Sequence, residues 1–256
     1  MGAGSAHAAL YRPGTSAIHA LPPQCKLVAL VAFVLTVVAT PARQYWAFAV
    51  HLALLAAVAA VARVPPGLIL RRMTVEVPFL LFAATLPFVA RGPRIDVLGL
   101  SLSENGLVGA WNLAAKGSLG VVAAIVLTVT TDLRRLLRGL ERLRVPTLFV
   151  QIATFMLRYA DVVTDDLRRM RIARESRGFE ARSLRQLPVL AAAASALFLR
   201  SYERGERVHL AMLSRGYDGH MPVLSDERAP RRAWASAATL PLAGLAVALS
   251  AWAAGA

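Results

Sequence analysis

Apolar residues in this chain are gathered into near-unbroken blocks, at 27–40, 45–62, 75–90, 107–131 and 234–254. They are not spread as stripes along one face of helices or strands. A soluble fold of 256 residues, 57% of them hydrophobic, has no interior able to hide such blocks on every side. Most of the blocks approach the roughly 20 residues that a helix needs to cross a bilayer. In lipid every backbone N–H and C=O must be bonded within the protein, which a helix does by itself. The blocks therefore predict an all-α integral membrane protein with about five transmembrane helices.

Taken in order, residues 1–25 are punctuated by Pro and Gly and are expected to lie along the cytoplasmic membrane surface. They lack the basic-then-apolar layout of a cleaved signal. The first block is short unless residues 21–26 join it. Tyr45 and Trp46 open the second where interfacial aromatic anchors belong. Arg63, Arg71 and Arg72 then read as a cytoplasmic loop around a Pro-Pro-Gly turn, with Glu76 at the membrane edge facing Arg71 or Arg72 or lying in the interface. Pro78 and Pro87 fall in the third block, where membrane helices tolerate them. Residues 91–105 alternate apolar and polar and predict an extracytoplasmic loop with some extended structure. Lys116 interrupts the fourth block and is expected to snorkel to the outer interface. Four spans from a cytoplasmic N-terminus return the chain to the cytoplasm near Asp132, and the last block leads out again.

Charge placement agrees with that topology. Lys26 and Lys116 are the only lysines, so the formal charge of +14 is almost wholly arginine. Residues 132–232 carry 20 of the 29 basic and 12 of the 15 acidic side chains. A mixed-sign segment between apolar blocks fits a cytoplasmic domain better than a phosphate-tracking surface, so nucleic acid is not expected as a partner. The expected organisation is residues 1–131 with four spans, 132–232 as a cytoplasmic helical layer, and 233–256 as the last span.

That layer carries a repeat. Residues 173–179 read ARESRGF and residues 211–217 read AMLSRGY, so Arg177 and Arg215 lie 38 positions apart. Each copy ends a Pro-led run, from Pro146 and from Pro188, whose first 13 or so residues are apolar and too short to span. Pro suits a first helical turn and Gly the position beyond a last one, so two long helices with the same finish are expected. The two rods would differ by about one turn, which would let their arginines keep similar facing. Stripes through Val163, Leu167, Met170 and Arg174, and through Val208, Ala211, Met212 and Arg215, would both pack the rods together and lead towards the arginines. Ahead of them, Leu133, Leu136, Leu137, Leu140 and Leu143 share a helical face opposite arginines, an amphipathic helix for a membrane surface or a partner groove.

Catalytic chemistry has no visible place here. There is no phosphate-binding GxxxxGK[ST] loop, no paired-carboxylate or Ser/His/Asp arrangement, and Cys25 is alone. His7, His19, His51, His209 and His220 are scattered, and Asp218 with His220 lacks a further ligand for a metal. No catalytic, cofactor or metal site is expected. A membrane-embedded enzyme binding a phosphorylated lipid or sugar at its arginines would need a facing carboxylate or histidine cluster. A scaffold without transport would bind a partner uncoupled from ATP hydrolysis.

The paired motifs resemble the Ala-Arg-Gly motifs of the transmembrane T component of energy-coupling-factor (ECF) transporters, with Ser176 and Ser214 where that motif has Ala. The run from Ser201 to Gly219 is similar to the CbiQ branch, which serves cobalt and nickel uptake, and the resemblance extends over about residues 15–250. It implies a non-catalytic subunit that links two ATP-binding-cassette (ABC) ATPase subunits to a membrane S component, CbiM-like in this branch. Cobalt is the favoured substrate; nickel or a vitamin module is the alternative. By position, the resemblance makes Arg177 and Arg215 the groove-inserting residues. Ala173, Ser176, Gly178, Ala211, Ser214 and Gly216 would complete the docking motifs, the serines and glycines permitting close approach, and Phe179 and Tyr217 would be apolar anchors. The small residues 56–62 would offer either a smooth contact face for the S component or ordinary helix packing.

Overall fold

The computed structural model describes residues 11–97, 100–179, 187–219 and 229–255. It divides the chain into two compact units, Leu10–Gly139 with Arg228–Ala256, and Leu140–Glu227.

The first unit is helical apart from one hairpin. A short helix α1 (Ala17–Ala20) precedes α2 (Pro23–Ala39) and α3 (Tyr45–Val61), both apolar and 17 residues long. Next come α4 (Pro66–Arg72), a 3-10 turn (Met73–Glu76) and α5 (Val77–Val89), which follow one another without a break. Strands β1 (Arg94–Val97) and β2 (Leu100–Ser103) pair antiparallel, Arg94 opposite Ser103, as the alternation of residues 91–105 predicts. Ser103 then caps α6 (Glu104–Thr130), its hydroxyl accepting the Gly106 N–H at 3.3 Å. The unit closes with α10 (Arg231–Gly255).

Three segments are long and apolar enough to cross a membrane: Pro66–Val89, Glu104–Thr130 and Arg231–Gly255. At ~1.5 Å per residue α2 and α3 are about 25 Å long, at the lower limit for a span. Residues 23–26 do join the first block.

Two expectations are corrected in the third segment. The predicted loop through Arg71 and Arg72 is helix, because Pro66 occupies a first turn and Leu68, Ile69 and Met73 pack against Ile125 and Val129 of α6. Glu76 consequently lies in the middle of a 24-residue apolar segment and not near its start. It is buried, and its Oε1 accepts the Ser118 hydroxyl at 2.9 Å.

α6 is the axis of this unit. The segment 66–89 runs antiparallel to it, and Gly106 lets the turn at Leu86 and Pro87 approach so closely that a Cβ would lie 2.5 Å from the Leu86 oxygen. α2 also runs antiparallel to α6, and the two lysines tie its ends. Lys26 on α2 donates to the Thr130 carbonyl (3.0 Å) and Thr131 hydroxyl (3.1 Å) at the C-terminus of α6. Lys116 on α6 donates to the Val38 carbonyl at the C-terminus of α2 (2.7 Å). Each ammonium thus meets unpaired terminal carbonyls and the negative end of a helix dipole. Trp252 adds a third donor, to the Ala39 carbonyl at 2.9 Å. The core between these helices is Phe33, Val37, Phe48, Leu55, Leu119 and Val122. α10 packs closely on α2 at Gly244, where a Cβ would lie 2.6 Å from the Thr36 hydroxyl, the small-residue contact favoured between membrane helices.

The amphipathic stretch forms α7 (Leu133–Arg142). Leu137 and Gly139 are buried, the latter against Pro23 and Gln24 of α2, while Arg134, Arg135 and Arg138 are exposed. Its apolar face is therefore already covered in part within the chain.

Candidate functional site

The second unit is built on two long helices, α8 (Thr147–Glu175) and α9 (Leu187–Leu213). Both are continuous, about 44 and 40 Å long at ~1.5 Å per residue.

Their C-terminal ends are the two motifs, and their hydrogen bonds correspond one for one. At the first, Gly178 takes a left-handed conformation (φ 75°), its N–H donates to Glu175 O (3.0 Å), and the Phe179 N–H reaches back to Arg174 O (3.1 Å). At the second, Gly216 has φ 80°, its N–H donates to Leu213 O (3.0 Å), and the Tyr217 N–H reaches Met212 O (3.1 Å). This pair of bonds is the Schellman helix stop, which requires a residue comfortable at positive φ. Ser176 and Ser214 donate their hydroxyls to the carbonyls of Ala173 and Ala211, at 3.1 and 3.0 Å. The repeated letters therefore encode a repeated backbone shape.

That shape presents the same surface twice. Ala173, Ser176, Arg177 and Gly178 are exposed, as are Ala211, Ser214, Arg215 and Gly216. Among the described residues neither Arg177 nor Arg215 has a hydrogen-bonded or ion-paired side-chain partner. A Cβ on Gly178 or Gly216 would meet nothing within 4 Å, so within this chain the glycines serve conformation, not close approach. The aromatics differ. Phe179 lies under the Arg174 guanidinium, 5.9 Å from ring centre to Cζ. Tyr217 is half-buried and donates its hydroxyl to Gln151 Oε1 (2.8 Å), while Gln151 Nε2 donates to Gly219 O (2.9 Å). Tyr217 is thus fastened to the start of α8. Arg171 and Glu175 pair on the exposed face at 2.7 Å, a bond that raises the Arg171 pKa further.

The helices cross at Asp166 and Arg204, whose carboxylate and guanidinium meet at 3.0 Å in a half-buried pair. The two residues are 38 positions apart, the same offset that separates Arg177 from Arg215. Two clefts flank the crossing. One, of about 350 Å³, is lined by Phe155, Tyr159 and Val163 of α8 with Gly205, Val208 and Met212 of α9. The other, of about 400 Å³, is lined by Ala193, Leu197 and Ser201 of α9 with Leu167, Met170 and Arg174 of α8. Adding 38 to Phe155, Tyr159 and Val163 of the first cleft gives Ala193, Leu197 and Ser201 of the second, and subtracting 38 from Gly205, Val208 and Met212 gives Leu167, Met170 and Arg174. The pair therefore has a local two-fold relationship, and the early part of each helix faces the late part of the other.

This arrangement alters one expectation and keeps another. The arginines do not face alike side by side; they stand at opposite ends of the crossed pair, each 11 residues beyond the crossing, ~16 Å along its helix. The stripes do pack the rods together at Val163, Leu167, Met170, Val208 and Met212, whereas Ala211 and Arg215 stay exposed. The crossing pair itself escaped the sequence reading, although an acid and a base at the repeat offset were visible. Gln151 carried no comparable signal.

The histidines are dispersed. His51 is fully buried and bonds Thr40 at 3.1 Å, His19 bonds Ser16, and His209 lines the first cleft; His7 and His220 lie outside the described residues.

Residues 14–224 match the family model described as cobalt transport protein, CbiQ. The cobalt transport protein CbiQ of Rhodobacter capsulatus is 29% identical over 147 residues, 57% of this chain and 59% of that protein. The putative fused cobalt transport protein CbiMQ of Methanocorpusculum labreanum is 28% identical over 134 residues, 52% of this chain and 22% of that one. The energy-coupling factor transporter transmembrane protein EcfT of Staphylococcus aureus is 25% identical over 231 residues, 82% of this chain and 83% of that one. The matched part spans less than two thirds of either cobalt-named relative.

Proposed function

The chain belongs to the CbiQ family of cobalt transport proteins, and from that membership we propose that it is the transmembrane T subunit of an ECF-type importer. In this reading it performs no catalysis. It links ATP hydrolysis by two ABC ATPase subunits to movement of a membrane S component, with cobalt as the transported substrate. Residues 132–232 are its cytoplasmic coupling layer.

The observation that carries the proposal is the duplicated helix end. Two exposed Ser-Arg-Gly tips with the same backbone shape, related by a local two-fold, suit two equivalent receivers better than one. Arg177 and Arg215 would each enter a groove on one ATPase subunit. A planar guanidinium bonds a carboxylate and backbone carbonyls together, and breaking such a buried contact costs ~2–5 kcal/mol. Ala173, Ser176, Gly178 and Phe179, with Ala211, Ser214, Gly216 and Tyr217, would shape the surface around each arginine. ATP-driven approach of the two ATPases would load both tips, and α8 and α9 would carry that load towards the membrane unit. The fused CbiMQ relative supports a CbiM-like membrane partner.

Co-purification from detergent with the candidate ATPase pair tests this. Wild type should retain both ATPases, and Arg177→Glu combined with Arg215→Glu should lose them. Equal retention in both would reduce the arginines to helix stops and overturn the proposal.

A further inference from the structure

The membrane unit contains an apolar cavity of about 470 Å³. Four long helices line it, through residues 26–33 of α2, 54–61 of α3, 123–130 of α6 and 236–243 of α10, and Ile18 of α1 with Leu21 adds to the lining. Each long helix contributes a stretch of the same length, ~10 Å of helix. The cavity is therefore no deeper than one leaflet, half of the ~30 Å hydrocarbon core. A partner's membrane helix needs a groove along the whole span, and this cavity does not provide one. A single acyl chain entering from one leaflet has the matching depth and polarity.

Arginines stand beyond one end of the helices that line the cavity. Arg63 follows α3, Arg134 and Arg135 follow α6, and Arg231 and Arg232 open α10, all five exposed at the same end of their helices. Lys26 also lies at this end, but its ammonium is occupied by Thr130 O, Thr131 Oγ1 and His19 O, at 3.0, 3.1 and 3.5 Å. The arginines are thus the cations left for a headgroup. Basic pockets between membrane helices suit anionic lipid headgroups, and guanidinium suits phosphate.

We propose that this cavity holds one acyl chain of an anionic phospholipid, whose phosphate lies against the arginines that flank the ends of α3, α6 and α10. The site serves as a lipid-filled joint between four helices and does not depend on the transport reading.

Native mass spectrometry of the full chain tests it, after exchange into vesicle lipid of phosphatidylglycerol or phosphatidylcholine and extraction in detergent. Wild type is expected to retain one phosphatidylglycerol per chain, about tenfold more than phosphatidylcholine. Ala57→Trp and Ala243→Phe, which fill the cavity, should abolish retention of both lipids. Arg231→Gln with Arg232→Gln should keep a bound lipid and lose the preference. Absence of retained lipid in wild type, equal retention of the two lipids, or retention unchanged by cavity filling would overturn the proposal. If the filling variants lose their monodisperse fold, the arginine double variant decides alone, and an unchanged preference for phosphatidylglycerol defeats the assignment.

Discussion

Asp166 and Arg204 hold equivalent positions in the two halves of an internal repeat and bond to each other at 3.0 Å. Because the early part of each helix faces the late part of the other, this contact between equivalent residues lies on the local two-fold and marks where α8 and α9 cross. Each partner retains some solvent contact, which places its worth near ~1 kcal/mol and not above. Asp166→Asn and Arg204→Gln are each expected to lower the thermal midpoint in detergent. The exchange Asp166→Arg with Arg204→Asp should recover most of the loss. No recovery would mean that the pair is incidental to the crossing.

The glycines offer a sharper test, because conformation and close approach make different demands. Gly178→Ala and Gly216→Ala should each cost ~1–2 kcal/mol of local stability, while Asn, which tolerates positive φ, should cost less. Hydrogen exchange at the Phe179 and Tyr217 amides reports this directly. Should Asn variants keep the helix stop yet lose the ATPases, bulk at these positions would matter to the partner as well.

Tyr217→Phe removes a hydroxyl from Gln151 and leaves an amide oxygen short of its donor, at ~1 kcal/mol. Faster exchange is expected over residues 214–219 and not over 176–179, since among the described residues the first motif has no such tether. Equal acceleration at both ends would contradict the asymmetry.

The lysine caps predict a ranked pair. Lys26→Met strips buried groups at the end of α6 and should cost ~1–3 kcal/mol, whereas Lys116→Met removes an exposed bond and should cost less. Thermal unfolding of the two variants in one detergent gives the order. A larger loss for Lys116→Met would reverse the account of which helix end is dry.

Much of this was legible from residue order, for identifiable reasons. Apolar blocks declare helices because lipid leaves the backbone no other partner. Ser-Arg-Gly before an aromatic declares a helix stop because few residues accept the left-handed turn. The helix at 66–72 was hidden by a Pro-Pro-Gly string that reads as a turn. In fact Pro66 is compatible with a first turn, and Gly67 has open space around it. Glu76 was misplaced for the same reason, since its depth follows from where that helix begins. The relative direction of α8 and α9 was not legible at all, because a repeat in sequence is equally compatible with rods lying alongside or crossing.

The crossing has a mechanical consequence. Equal and opposite pushes delivered at the ends of two arms of the same length cancel as displacement and survive only as torque about the pin between them. Arg177 and Arg215 are the ends of such arms, and Asp166 with Arg204 is the pin. A machine that loads both ends together would twist this unit in place, whereas loading one end alone would shove it sideways.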